Sequence, residues 1–209
     1  LAQKILEKMV GKEHPDYATN LSDIAMDYSH LGDYTKSLEF SLLALKIREK
    51  ALEKEHPDYA ASFHNIASIY SELGEHNKSL ELNLLALEIF EKVCGKEHYN
   101  YALSLNNIAM NYLHLGDNDK SLEFNLLALE VFEKVCGKDH YNYAMSLNNL
   151  ALNYSELGDY HKSLELNLLA LDIIEKARGK EHPDYARILN NTAMNCSDFG
   201  DYNTAIEFN

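Results

Sequence analysis

The sequence is short of cysteine, of basic charge and of long apolar runs, and each shortage closes off a class of protein. Three cysteines, Cys94, Cys136 and Cys196, give no even disulfide framework. They fit a reducing compartment, so a cytoplasmic location is expected. Lysine and arginine total 19 against 33 acidic residues, a net charge of −14. An acidic surface repels phosphate backbones and anionic lipid, so neither nucleic acid nor a membrane is an expected partner. Apolar runs stop after a few residues, as in Leu168-Leu169-Ala170-Leu171, far short of the ~20 needed to span a bilayer. The N-terminus has no basic stretch followed by an apolar segment, so no signal peptide is read there, and the missing initiator methionine points to a fragment. No phosphate-binding Gly-rich loop, Ser-centred elbow or Cys-x-x-Cys occurs. Neither an enzyme nor a cofactor is expected. What remains is a 209-residue chain, 46% hydrophobic and 25% charged, long enough for a sizeable core.

Self-similarity dominates what is there. Leu31-Gly32-Asp33-Tyr34 returns as Leu73-Gly74-Glu75-His76, Leu115-Gly116-Asp117-Asn118, Leu157-Gly158-Asp159-Tyr160 and Phe199-Gly200-Asp201-Tyr202, always 42 residues on. A second marker keeps the same step, beginning at His14, His56, His98, His140 and His182 and ending on a tyrosine three residues later. Five copies without an insertion mark a repeat architecture.

Each unit reads as two helices. Leu105, Ile108, Ala109, Tyr112 and Leu115 follow the spacing of one helical face. Gly116 then breaks that helix. The second helix, from about Asp117 to Val135, is apolar around most of its circumference, which predicts neighbours covering it on more than one side. Gly137 ends it, as Gly11, Gly95 and Gly179 do elsewhere; Glu53 breaks that pattern. Pro15, Pro57 and Pro183 sit where a first helical turn tolerates proline. Glu39, Glu81, Glu123 and Glu165 each follow a lysine by three residues, predicting solvated ion pairs along the second helices. One hairpin cannot bury its own apolar face, whereas stacked neighbours can. The expectation is an all-α fold, an α-solenoid of stacked antiparallel helix hairpins. As a single repeat domain over 1–209 it divides into a half helix 1–12, repeats 15–53, 57–95, 99–137 and 141–179, and a partial repeat 183–209.

These residues resemble the tetratricopeptide repeat. The resemblance rests on Leu105, Ile108, Ala109 and Tyr112 in the first helix, Gly116-Asp117 at the turn, and Ser121, Leu122 and Ala128 in the second. The 42-residue period, the string Asn148 to Ala151 and the linker Gly179 to Asp184 are similar to the kinesin light chain type, and to arrays of nephrocystin-like and bacterial signalling proteins. The resemblance implies a right-handed superhelix and a scaffold that binds a protein or an extended peptide along its first helices. One departure is Ser41, Asn83, Asn125, Asn167 and Asn209, where the family places an aromatic; with leucine pairs beside them, they predict a rotated or tightened second helix.

Matching positions on the first helices then become candidate ligand contacts. They are Ser22 and Asp23, His64 and Asn65, Asn106 and Asn107, Asn148 and Asn149, Asn190 and Asn191, with Met26, Ser68, Met110, Leu152 and Met194 one turn on. Asparagine offers a donor and an acceptor to a peptide unit, and methionine adapts to varied apolar side chains. The alternative is that these asparagines bond neighbouring helices or water. Only Arg187 is basic among the matching positions, which argues against a carboxylate clamp and against acidic-peptide recognition. The linker histidines would lie ~10 Å apart in stacked repeats, a row rather than a metal cluster. Two further readings stay open: a structural or self-assembling array without a ligand, and a sensor module of a larger protein. Leu1 and Asn209 both align with mid-helix positions, so the terminal half helices around Ile5 and Ile206 are complementary. Head-to-tail self-association is therefore an expected possibility.

Overall fold

The computed structural model describes residues 2–52 and 54–208, and of these the side chains from residue 5 onward. Leu1, Glu53 and Asn209, where the sequence set the opening half helix, a missing glycine stop and the closing partial repeat, lie outside the described residues. The rest is helical, with no strand among the described residues. Two compact units form, Leu1–Lys96 and Glu97–Asn209. The first holds α1 (Ala2–Met9), α2 (Pro15–His30), α3 (Tyr34–Ala51), α4 (Pro57–Glu72) and α5 (His76–Cys94). The second holds α6 (Tyr99–His114), α7 (Asn118–Cys136), α8 (Tyr141–Glu156), α9 (Tyr160–Arg178), α10 (Pro183–Phe199) and α11 (Tyr202–Phe208).

Within each unit the hairpins α2/α3, α4/α5, α6/α7 and α8/α9 pack most closely, and second helices carry the stacking, α3 on α4 in the first unit, α7 on α8 and α9 on α10 in the second. First helices also touch one another, α2 on α4, α6 on α8 and α8 on α10. Alanine explains the close approach. Ala67, Ala109 and Ala151 on first helices, and Ala86, Ala128 and Ala170 on second helices, are fully buried. A methyl at these crossings leaves the backbones room to approach. A serine one turn into the second helix then ties the hairpin: Ser37 Oγ donates to Ala25 O (2.7 Å) and Ser121 Oγ to Ala109 O (2.8 Å).

The turn after each first helix has a fixed chemistry. Leu115 caps α6, Gly116 follows at φ +79°, its N–H bonds Leu113 O, and the Asp117 N–H bonds Tyr112 O. This crossed pair satisfies the last carbonyls and needs a residue with positive φ. Asp117 next caps α7 by accepting from the Lys120 N–H (3.2 Å).

The linker histidines prove to be helix caps. In all five copies the ring Nδ1 accepts the backbone N–H two residues on, at 3.1–3.3 Å. This satisfies one of the orphan donors of the first turn. Among the described residues no group of three His, Cys, Asp or Glu side chains converges on a point. His140→Ala should cost about 1 kcal/mol, the usual worth of an N-cap. His140→Asn, which restores an acceptor, should recover most of it; chemical denaturation of the two variants checks this.

One detail differs from the sequence reading. Lys36, Lys78 and Lys120 turn back to Asp33, Glu75 and Asp117 (2.7, 3.1 and 2.9 Å), and only Lys162 pairs forward, with Glu165. Helical side chains lean toward the N-terminus, and there each ammonium also lies over the ring of Tyr28, Tyr70 or Tyr112. The second helices are covered on more than one side, as α7 is by α6 and α8, but not all round. Leu126 and Leu127 are 46% and 43% exposed, whereas Asn125 beside them is buried. The same division holds at Leu84, Leu85 and Asn83, and at Leu168, Leu169 and Asn167.

Candidate functional site

The candidate contacts lie on the first helices, which meet inside each unit, α2 with α4, and α8 with α6 and α10. Sequence places two adjacent polar residues on each of these helices, and the fold gives them different fates. Asn106, Asn148 and Asn149 are at most 8% exposed. Asn106 Oδ1 accepts from Asn149 Nδ2 on the next first helix (3.1 Å) and from Ser146 Oγ (3.4 Å). Asn148 Oδ1 accepts from Asn191 Nδ2 in the same manner (2.9 Å). The leading asparagine of one repeat therefore clasps the trailing asparagine of the next. These four residues spend hydrogen-bonding capacity on neighbouring helices, the alternative that the sequence left open.

Other members of the set face outward. Asn65 and Asn190 are exposed, and Asn107 and Met110 are half-buried. Met26 and Met194 are 56% and 58% exposed. Asn190 turns its Nδ2 toward the Met194 sulfur (3.6 Å). Each unit thus offers a face with an exposed methionine near an exposed asparagine: Met26 and Asn65 in the first, Met194 and Asn190 in the second.

Two titratable or charged groups stand behind this face: His64, which the sequence reading set among the candidate contacts, and Arg48, which it did not name. Burial pushes His64, on α4, down to about 4. Arg48, on α3, is only 5% exposed and takes the position that Phe90, Phe132 and Ile174 fill in the later repeats. Its guanidinium donates to Ser62 Oγ (2.9 Å), Ser22 Oγ (3.2 Å) and Thr19 Oγ1 (3.2 Å), and its Nε has no partner. Burial lowers its pKa, with Asp58 and Asp23 opposing. The signal was there to find: an arginine where three copies of a strict repeat carry a large apolar residue. Of the cysteines, Cys196 is buried and Cys94 and Cys136 are half-buried; burial raises the Cys136 and Cys196 thiols, which disfavours the reactive thiolate. Among the described residues no helix is long and apolar enough to cross a membrane.

Comparison with known proteins places this geometry. The tetratricopeptide repeat model matches residues 16–92, 64–126, 100–173 and 154–209. Comparison with curated proteins finds no match. Among solved structures, BtubC (BKLC) from P. vanneervenii superposes with a TM-score of 0.79 at 23% identity, over 99% of this chain and 82% of that one. The nearly identical TPR-like repeats of a Podosopora anserina protein of kinesin light chain type give 0.73 at 24% identity, over 93% and 92%. A Rap protein complexed with Competence and Sporulation Factor gives 0.79 at 17% identity, over 97% of this chain and 58% of that one. At such identities the structures speak for the fold. The family match spans nearly the whole chain, and with the 42-residue hairpins, the alanine crossings and the glycine turns it leads to one conclusion: this chain belongs to the tetratricopeptide repeat family.

Proposed function

We propose that the chain is a protein-interaction scaffold that holds an extended peptide segment of a partner along the first helices of its repeats. The observation that carries this reading is the pair of exposed methionines, each near an exposed asparagine: Met26 with Asn65 around one cavity between α2 and α4, and Met194 with Asn190 on α10. Methionine adapts to varied apolar side chains, and asparagine can bond a peptide unit from either side. Asn107 and Met110 extend the same surface in the second unit. The Rap protein above is itself recorded in complex with a factor, which makes a bound partner a reasonable use of this fold.

The test is a phage-displayed peptide selection against the chain, followed by affinities for its two surface patches. Met26→Ala with Asn65→Ala, and Met194→Ala with Asn190→Ala, should each weaken an enriched peptide by about tenfold or more, roughly 1.4 kcal/mol. Melting should not move, because these side chains are exposed. If no peptide is enriched, or if both pairs leave affinity unchanged, the groove reading fails. The asparagine clasps Asn106–Asn149 and Asn148–Asn191 would then favour the structural-array reading, since they hold repeat to repeat.

A further inference from the structure

A cavity of about 210 Å³ opens in the first unit between α2, α3 and α4. Its origin can be read by laying the repeats over one another. Around it stand Ser22, Ser29, Ser41 and Ser68, where the corresponding positions of the second unit carry Asn106, Leu113, Asn125 and Leu152. Four larger side chains have become serine around one space. The polar network that occupies the equivalent region of the second unit has gone with them. There Asn153, fully buried, accepts from Asn125 Nδ2 through its oxygen and donates to Ser121 Oγ (2.7 Å) through its nitrogen. In the first unit Asn125 is replaced by Ser41 and Asn153 by Ile69, while the serine acceptor remains as Ser37.

The hydroxyl protons decide what this cavity takes. Ser37 Oγ donates to Ala25 O (2.7 Å) and Ser22 Oγ donates to Ala18 O (3.2 Å). Each hydroxyl has one proton; Ser37 is fully buried, whereas the half-buried Ser22, which already accepts from Arg48, keeps one lone pair for the cavity. Ser41 is 4% exposed, lines the cavity and makes no side-chain hydrogen bond among the described residues, so its proton is uncommitted. The wall therefore asks for an N–H donor at Ser22 and an oxygen acceptor at Ser41. Charge narrows the choice further. Asp23 on the rim disfavours an anion, and the buried Arg48 guanidinium behind Ser22 disfavours a cation.

The geometry points to a binding subsite for a primary carboxamide, supplied by a Gln or Asn side chain of a bound peptide or by a free small amide. The peptide source rests on the groove reading above; the subsite itself does not.

The experiment uses the intact chain, with propionamide, propionate and propylammonium as probes of one size and three charges. Backbone amide shifts of Asn65 and Ser68 report binding. Propionamide should shift them saturably, while the two ions should bind at least about tenfold more weakly. Ser29→Leu with Ser68→Leu restores residues the second unit already accommodates and should abolish the response with melting unchanged. Ser41→Ala keeps the volume, removes the donor and should weaken propionamide by about fivefold or more. Equal or tighter binding of either ion, or a response that survives the double leucine variant, overturns the assignment. A blocked alanine pentapeptide ending in an N-methylamide, with Gln or Ala at its centre, separates the sources. Preference for Gln, lost in the double leucine variant, identifies a peptide side chain. No preference, with propionamide still bound, identifies a free amide and counts against the groove reading alone. Peptide binding indifferent to both variants, with no response to propionamide, sinks the subsite and leaves the groove reading standing.

Discussion

Asn153→Ile should destabilise the second unit by about 2–4 kcal/mol, and Asn125→Ser made in the same chain should give part of that back. Asn153 is fully buried and links three elements, accepting from Asn125 on α7 and donating to Ser121, whose proton goes on to Ala109 O of α6. Isoleucine fills the volume but offers neither donor nor acceptor. Asn125 Nδ2 then loses its acceptor in a site where Asn125 Oδ1 already has no partner. A buried group left unsatisfied costs about 1–3 kcal/mol, and the network loses a second bond at Ser121. Asn125→Ser removes the stranded amide and recreates the Ser41–Ile69 pair of the first unit, which shows that these repeats tolerate the combination. The two substitutions should therefore be coupled by about 1 kcal/mol or more in a double-mutant cycle. Because repeat arrays need not unfold in one step, hydrogen exchange of the α7 and α8 amides is the better readout than a single melting point. Additive costs, or a single Asn153→Ile change within about 0.5 kcal/mol of the parent, would show that the network contributes little.

The architecture was open to reading in the sequence because a repeat supplies its own controls. Five copies of the Leu-Gly-Asp-Tyr turn locate every first-helix end, and the observed cap at Leu115 with Gly116 at positive φ is the mechanism behind that string. The site was less legible, for reasons that differ by residue. Asn106 and Asn107 are neighbours in sequence, but 100° of helical turn separates them. Only the stacking of repeats reveals that Asn106 meets Asn149, a step of 43 rather than 42 residues. A reading confined to one repeat sees two equivalent amides. The second helix is a related case. Asn125 stands beside Leu126 and Leu127, and the helix is turned so that the amide faces Asn153 while both leucines stay exposed. Pairing inside, not polarity alone, decides which side is buried. The capping role of the histidines needed the ring orientation, since histidine is not among the usual N-cap residues. Arg48 is the lesson in the other direction: it is visible in an alignment of the repeats as a charge in an apolar column.

Acid should weaken the first unit through His64 in particular. An ordinary histidine takes its proton near 6.5, whereas burial holds folded His64 neutral until about 4. Between those values the unfolded chain binds a proton that the folded chain refuses. Stability therefore falls as pH falls through that window, and is fully present above it. The difference of 2.5 pH units, 6.5 minus 4, corresponds to about 3 kcal/mol at 1.36 kcal/mol per unit. Other groups also respond to acid. Asp33 and Asp117 are held low by their lysine partners and by capping bonds, so their contribution is lost at still lower pH. The discriminating comparison is therefore with His64→Asn, which installs the residue found at the same place in the next three repeats. Denaturation at pH 7 and at pH 4.5 should show the parent losing about 2–3 kcal/mol more than the variant, measured by exchange of α4 amides. Titration of the His64 ring protons by NMR gives an independent reading, with a midpoint near 4 expected. A midpoint near 6.5, or equal acid losses in parent and variant, would mean that the ring keeps access to water, and that the face formed by α2 and α4 is looser than its packing indicates.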